Sequence, residues 1–300
     1  MSSRHVVLIL NHSAGAEKDG KLPREIQQSF AEHAIQAEIR LVNDGDDITD
    51  IAIDAAKTPC MAIVACGGDG TVNAVASALI GQDTPLGVLP LGTLNHFAKD
   101  LKLPLEVNEA VAVIANGSTM AVDAAEVNGR VFVNNSSLGL YPHMVRGREQ
   151  EQRLGRGKWT GLFWATMAVM RRLPVLTISI KSEDGTKLVR RTPLLFIGNN
   201  AYQMHGFEIG SRESLTDGKL AVYVVHHDKP ASLLRMGVEA LTGNLKNGRG
   251  FDFLSVSELR VESNHPAVQV ATDGEVTKMK LPLVYRILPR ALKVRVPAAD

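Results

Sequence analysis

The chain has 300 residues, 45% hydrophobic and 22% charged, with 33 basic side chains against 32 acidic ones and a formal net charge of +1. At roughly 150 residues per domain this suggests about two domains, with enough chain to bury a core without disulfides or a structural metal. The balanced charge argues against a protein whose main partner is nucleic acid, so any basic surface is local.

Arg4 and His5 lead into the apolar run Val6 to Leu10 without the hydrophobic region and small-residue cleavage site of an export signal. Two cysteines, Cys60 and Cys66, are too few for a disulfide framework or a four-cysteine zinc site, and both read as core residues of a protein in a reducing cytoplasm. Val6 to Leu10 is expected to be a buried strand. An amphipathic helix follows, with Pro23 near its start and Ile26, Phe30 and Ala34 at four-residue spacing. A strand over Ala37 to Val42, a helix over Ile48 to Lys57, a buried strand over Met61 to Ala65 and a helix over Thr71 to Ile80 come next. Leu86 to Leu89 reads as a strand, and Leu94 to Leu101 and Val107 to Ala115 as helices. Such alternation is the pattern of a doubly wound α/β unit on a parallel sheet.

From about Val122 the texture changes to β-branched runs separated by turn dipeptides. Asn128-Gly129, Asp184-Gly185, Asp217-Gly218 and Asp273-Gly274 punctuate runs such as Leu176 to Lys181, Leu194 to Gly198, Leu220 to His226 and Val268 to Thr272. These predict an antiparallel sandwich or barrel. No linker-like or low-complexity tract separates the halves, which implies close packing with a cleft between them. The expected division is 1–122, completed by 286–300, for the α/β part and 123–285 for the β part.

Two clusters carry the chemistry. Cys66-Gly67-Gly68-Asp69-Gly70-Thr71-Val72-Asn73 lies between a predicted strand and a predicted helix. Glycines there let successive N–H groups aim at one point, and the helix start adds partial positive charge, which makes a phosphate cradle. No Gly-Lys-Ser/Thr follows, so it is not a Walker A loop, and Asn73 replaces the third glycine of the dinucleotide fingerprint. Taken alone, the segment also fits a tight turn with an aspartate cap. Leu89-Pro90-Leu91-Gly92-Thr93-Leu94-Asn95-His96-Phe97-Ala98 repeats the grammar, and two such loops at the carboxyl ends of neighbouring parallel strands converge on one crevice.

Together with Asp273-Gly274-Glu275, these motifs resemble the diacylglycerol kinase catalytic family. The likeness is closest to its small bacterial lipid-kinase (YegS-like) branch, related to sphingosine and ceramide kinases. It extends from the loop at Asn11 to Gly15 to the closing segment Leu288 to Pro297. The glycine motif alone is shared with NAD kinases and nearly with phosphofructokinases.

The resemblance implies an α/β nucleotide domain, a β-sandwich lipid domain and ATP- and Mg²⁺-dependent transfer of the γ-phosphate to a lipid hydroxyl. In this reading Gly67, Gly68, Gly70 and Thr71 hold the ATP phosphates, with Val72, Asn73, Thr93, Asn95 and Asn11 completing the pocket. Asp69 serves Mg²⁺ or orients the hydroxyl. Glu275 is the first choice for general base and Asp273 the second, against the alternative of an ordinary hairpin with Glu275 facing solvent. Asp217, with the carbonyls of Ser214 and Lys219, matches the family's second, structural divalent-ion site, and also fits a plain turn.

The chain departs from the family's pattern at four places. Ala74 and His96 stand where acids are common, His12 stands where proline is usual, and no Ser or Thr occurs among Leu41, Val42, Asn43 and Asp44. These departures leave open a nucleotide- or lipid-binding homologue without turnover. A NAD kinase would carry an Asn-acid pair, where Asn134-Asn135-Ser136 has none.

A stretch with Trp159, Phe163, Trp164, Met167 and Met170, flanked by Arg153, Arg156, Lys158, Arg171 and Arg172, suits either peripheral membrane contact through 146–172 or a core helix. No run of about 18 apolar residues is present, so the expectation is a cytoplasmic protein, peripheral at most at the inner membrane face. The sequence sets neither the acceptor lipid nor the oligomeric state.

Overall fold

A computed structural model describes residues 4–11, 21–43, 47–139, 175–183, 185–203, 211–226 and 250–298. The chain divides into two compact units, Met1–Ala124 with Leu288–Asp300, and Ala125–Ile287.

The first unit is built on parallel strands β1 (His5–Asn11), β2 (Gln36–Val42), β3 (Ala62–Gly67) and β4 (Leu86–Pro90). They lie in the order β2-β1-β3-β4, and the carboxyl-terminal part of β16 (Leu283–Val296) joins β4 in parallel through Val294 and Leu86. Strands β1 and β3 are buried on both faces, as near-continuous apolar runs require. One face packs Val6, Leu8, Val64 and Cys66 against Ile26 and Phe30 of α1 (Leu22–Glu32) and Val111 and Ile114 of α5 (Val107–Asn116). Helices α2 (Ile48–Ala56) and α3 (Asp69–Leu79) pack together and bury Ala52, Ala55, Val75 and Leu79. Asp47 caps α2 by accepting from the N–H groups of Thr49 and Asp50.

Helix α1 stops at Glu32, short of the expected Ala34, which is left-handed (φ +55°), and two helix starts differ from expectation at the glycine clusters. Helix α3 begins at Asp69 rather than Thr71, because Gly68 (ψ −173°) is the extended cap and Gly70 already lies inside the first turn. Helix α4 spans only His96–Asp100, because Asn95 is left-handed (φ +51°) and ends any helix that would start at Leu94.

The second unit is a β-sandwich. One sheet runs β12 (Phe251–Val256), β11 (Leu220–Val225), β10 (Leu194–Asn199), β7 (Asn135–Gly139), β14 (Ala267–Thr272), β15 (Glu275–Lys280), antiparallel throughout. The other layer holds β8 (Leu176–Ser182), β9 (Lys187–Thr192), β13 (Glu258–Ser263) and the amino-terminal part of β16. Strands β5 (Ser118–Val127) and β6 (Arg130–Phe132) form a hairpin. Leu138, Ile197, Val222 and Val270 from one layer meet Phe132, Ile180, Val261 and Tyr285 from the other in a single apolar core.

Asn128 and Gly129 both take positive φ (+49° and +81°), the geometry that a two-residue hairpin turn demands. The Asn128 carboxamide accepts from the Val284 N–H at 2.8 Å and donates to the carbonyls of Lys280 and Pro282. Asn128→Ala is therefore expected to lower stability by about 1–3 kcal/mol, from lost hydrogen bonds and left-handed strain. A shift in the urea midpoint reads this loss, and an unchanged midpoint contradicts it.

Candidate functional site

In the first unit the carboxyl ends of β1, β3 and β4 bring the predicted loop residues together. Gly67 closes β3, and no side chain caps the start of α3. The first bond within the helix runs from the Val72 N–H to the Gly68 carbonyl at 3.0 Å, so the N–H groups of Asp69, Gly70 and Thr71 have no acceptor inside the helix. These donors, with the partial positive charge of a helix start, suit an anion. Val72 enters only through its backbone, since its side chain is buried in the core.

Thr71 is buried, and its hydroxyl accepts from the Asn11 carboxamide at 3.3 Å, which ties the end of β1 to the helix. A Cβ on Gly67 would collide with the Thr71 side chain, so this strand end must be glycine for the threonine to sit where it does. Asn73 is buried one turn into the helix, and its Oδ1 has no hydrogen-bond partner among the described residues.

The second glycine loop presses directly on the first. A Cβ on Gly92 would lie 2.5 Å from the Gly68 Cα and 2.8 Å from the Asn95 Oδ1, so this approach requires glycine at position 92. Asn95 folds its own loop. Its Oδ1 accepts from the Gly92 N–H at 3.1 Å, and its Nδ2 donates to the carbonyls of Gly92 (2.8 Å) and Pro90 (3.3 Å). Asp69 links the loops by accepting the Phe97 N–H on Oδ1 at 3.3 Å, which supplies α4 with the cap that left-handed Asn95 does not provide. Thr93 is exposed at the tip of the loop.

In the second unit Asp273 and Gly274, with φ of +46° and +88°, form the two-residue turn joining β14 to β15. The Asp273 carboxylate turns back into the sandwich and accepts three backbone N–H bonds, from Val133 (2.8 Å), Asn134 (2.9 Å) and Asn135 (2.9 Å). Arg212, only 5% exposed, braces the same segment from behind by donating to the Val133 and Asn199 carbonyls and to the Asn134 Oδ1. Glu275, by contrast, opens β15 with its side chain 59% exposed, and meets the Arg130 guanidinium at 2.5 Å.

Burial pushes the Asp273 carboxyl up to about 6, against the three N–H donors and Arg212, which pull it down. The folded chain then holds this proton more tightly than the unfolded chain. The group's contribution therefore favours the native state in acid and is lost as pH rises through about 6. Urea midpoints taken from about pH 4 to about pH 7 are expected to carry this downward component, and Asp273→Asn to remove it. Equal slopes for the two proteins would contradict the assignment.

Ser214, Asp217 and Lys219 lie on the segment entering β11. The Ser214 hydroxyl accepts from the Thr216 N–H at 3.2 Å, and the Lys219 carbonyl accepts from the Asn200 N–H at 3.0 Å. The Asp217 side chain is exposed and Gly218 turns the chain at φ +65°. Among the described residues no cluster of three or more His, Cys, Asp or Glu side chains is placed to hold a metal, and no helix is long and apolar enough to cross a membrane. The aromatic stretch within 146–172 lies outside the described residues, as does His12.

Arg130 and Arg212, which hydrogen-bond to the Thr272–Glu275 hairpin and to the Val133–Asn134 segment, are residues that sequence reasoning did not single out. Arg130 follows a turn dipeptide and reads as the start of a hairpin strand, while Arg212 has no local signal at all.

Residues 5–127 match the family described as "Diacylglycerol kinase catalytic domain", and residues 145–296 match "YegS C-terminal NAD kinase beta sandwich-like domain". Over 295 residues, 97% of this chain and 95% of the relative, the sequence is 27% identical to "Diacylglycerol kinase" from Bacillus subtilis (strain 168). It is 33% identical over 139 residues to "Probable lipid kinase YegS-like" from Yersinia pestis (strain Pestoides F), covering 45% of this chain and 46% of that one. A crystal structure of a diacylglycerol kinase from Bacillus anthracis str. Sterne shares the fold with a TM-score of 0.71 at 19% identity, covering 99% of this chain and 98% of the other.

Proposed function

The chain belongs to the family that joins a diacylglycerol kinase catalytic domain to a YegS-type C-terminal domain, and is an enzyme of the kinase class; from that premise we propose that it transfers the γ-phosphate of ATP to the hydroxyl of a membrane lipid in a Mg²⁺-dependent reaction. The acceptor is a lipid with a hydroxyl beside long acyl chains, a description that diacylglycerol, phosphatidylglycerol and sphingoid-like lipids all meet. The observation that carries the reading is the meeting of two glycine loops at the start of α3, where three N–H groups are left without intrahelical acceptors.

Phosphoryl transfer asks a protein for positioning, charge neutralisation and a proton acceptor near the attacking hydroxyl. The N–H groups of Asp69, Gly70 and Thr71 hold phosphate oxygens, and the Gly67–Gly68 and Gly92–Thr93 backbones shape the floor of that cradle. The buried, unpartnered Oδ1 of Asn73 accepts from a donor that the bound substrate brings. Asn95 serves the cradle indirectly, since its carboxamide is taken up by the loop.

One Asp69 oxygen is engaged by the Phe97 N–H, and in this reading the other would hold a divalent ion. Mg²⁺ there would neutralise phosphate charge. Asp217, with the carbonyls of Ser214 and Lys219, would hold a second, structural ion. Glu275 takes the proton from the lipid hydroxyl. Asp273, whose oxygens already accept three N–H bonds, holds the Val133–Asn135 segment and the turn that presents Glu275.

The test is an acceptor panel: purified protein, γ-labelled ATP and Mg²⁺ with detergent-dispersed diacylglycerol, phosphatidylglycerol and ceramide, and NAD as a soluble control. Label in an organic-phase product establishes the reading and identifies the acceptor class. Label in NADP alone overturns it, and so does ATP binding without any transfer.

A further inference from the structure

Arg130 is held at two points that belong to the Asp273-Gly274 hairpin. Its Nε donates to the Thr272 hydroxyl at 2.8 Å, and its Nη2 meets the Glu275 carboxylate at 2.5 Å. Thr272 is 0% exposed, and its strand pairing fixes it against Ser136 on one side and Glu275 on the other. One end of the guanidinium is thus pinned in the sandwich while the other reaches the surface, where the Arg130 side chain is 34% exposed.

A carboxylate as exposed as Glu275 samples several rotamers when nothing holds it, and a proton acceptor in motion is a poor one. The planar fork of an arginine suits the holding role, because its donors diverge at fixed angles and it stays charged at every working pH. Exposed ion pairs contribute little to stability, so the fold gives weak reason for this arrangement.

We propose that Arg130 is a positioning residue for phosphoryl transfer: anchored on the Thr272 hydroxyl, it fixes the Glu275 carboxylate in the one orientation that can take the acceptor's proton. The proposal rests on the reading of Glu275 as the proton acceptor.

The test compares Arg130→Gln, Arg130→Lys, Thr272→Val and Glu275→Gln, singly and with Arg130→Gln combined with Glu275→Gln, in the full-length protein with ATP, Mg²⁺ and whichever lipid the panel above identifies. Arg130→Gln is expected to lower kcat about 10-fold, with KM for ATP and the melting temperature unchanged. Arg130→Lys, which keeps the charge without the fork, and Thr272→Val, which removes only the anchor, should each fall between that variant and the wild type. In the Glu275→Gln background the Arg130 substitution should cost nothing further, since the residue acts through the carboxylate.

An equal loss in both backgrounds overturns the proposal, because Arg130 would then act on its own. Wild-type kcat for Arg130→Gln beside a disabled Glu275→Gln overturns it while leaving the proton acceptor in place. Full activity of Glu275→Gln removes the acceptor reading, and this inference falls with it.

Discussion

Glu275→Gln is expected to lower kcat by about 10² or more while leaving ATP affinity and thermal stability at wild-type values. The substitution keeps the shape and removes the charge, and with it both the capacity to take a proton and the ionic part of the exposed Arg130 pair, which contributes little to stability. Its site is 59% exposed, so the fold loses nothing that depends on burial. Within the Asp-Gly-Glu turn this residue, rather than Asp273, has an exposed carboxylate: Asp273 faces inward onto three N–H groups, whereas Glu275 faces outward with one arginine partner among the described residues. Turnover within twofold of wild type would move the proton acceptor elsewhere. A fall in ATP affinity of the same size as the fall in kcat would make Glu275 part of the nucleotide pocket instead.

Gly92→Ala is expected to raise the KM for ATP at least about 10-fold and to lower stability by about 1–3 kcal/mol, the usual cost of an added methyl group where packing has no slack. The added Cβ would lie 2.5 Å from the Gly68 Cα, and neither partner is a side chain that can swing aside. The loops must separate, which displaces the start of α3 and the N–H groups it offers to phosphate. The same Cβ would meet the Asn95 Oδ1 at 2.8 Å and disturb the carboxamide that closes the second loop. Gly68→Ala is the milder companion. Its Cβ would reach the Gly92 Cα only at 3.4 Å, and its backbone angles suit any residue. Equal KM values for Gly92→Ala and wild type would show that the contact between the loops does not shape the nucleotide site.

The first unit was legible in the sequence because parallel strands buried on both faces leave runs such as Val6 to Leu10 and Ala62 to Cys66, with helical periodicity between them. The helix starts at the site were less so. Gly70 enters α3 despite its poor helical propensity, because Gly68 completes the turn before it, and Asn95 adopts a left-handed backbone that its own side chain stabilises. In the second unit the turn dipeptides marked the hairpins, Asn128-Gly129 and Asp273-Gly274 among them, because two-residue turns require positive φ at both positions.

The site divided in the same way. Glycines between strand and helix advertise a phosphate cradle through local backbone chemistry, so Gly67 to Thr71 and Gly92 stood out. Long-range partnerships leave no such trace. The Asp69 bond to the Phe97 N–H joins residues 28 positions apart, and the Arg130 pair with Glu275 joins residues 145 apart. Arg212, buried among carbonyls, could be found only from coordinates, since nothing at residues 211 to 214 distinguishes it from a surface arginine.

In the reaction we propose, phosphate passes from ATP to a lipid hydroxyl rather than to water or to a nucleotide. Phosphorus NMR of one reaction tests it most directly, with ATP, Mg²⁺ and mixed micelles of diacylglycerol and phosphatidylglycerol followed in the same tube. The γ-phosphate resonance is expected to disappear in step with the growth of a lipid phosphate monoester, one for one, with ADP as coproduct. Growth of inorganic phosphate in its place, or ATP left intact beside every acceptor offered, would contradict it.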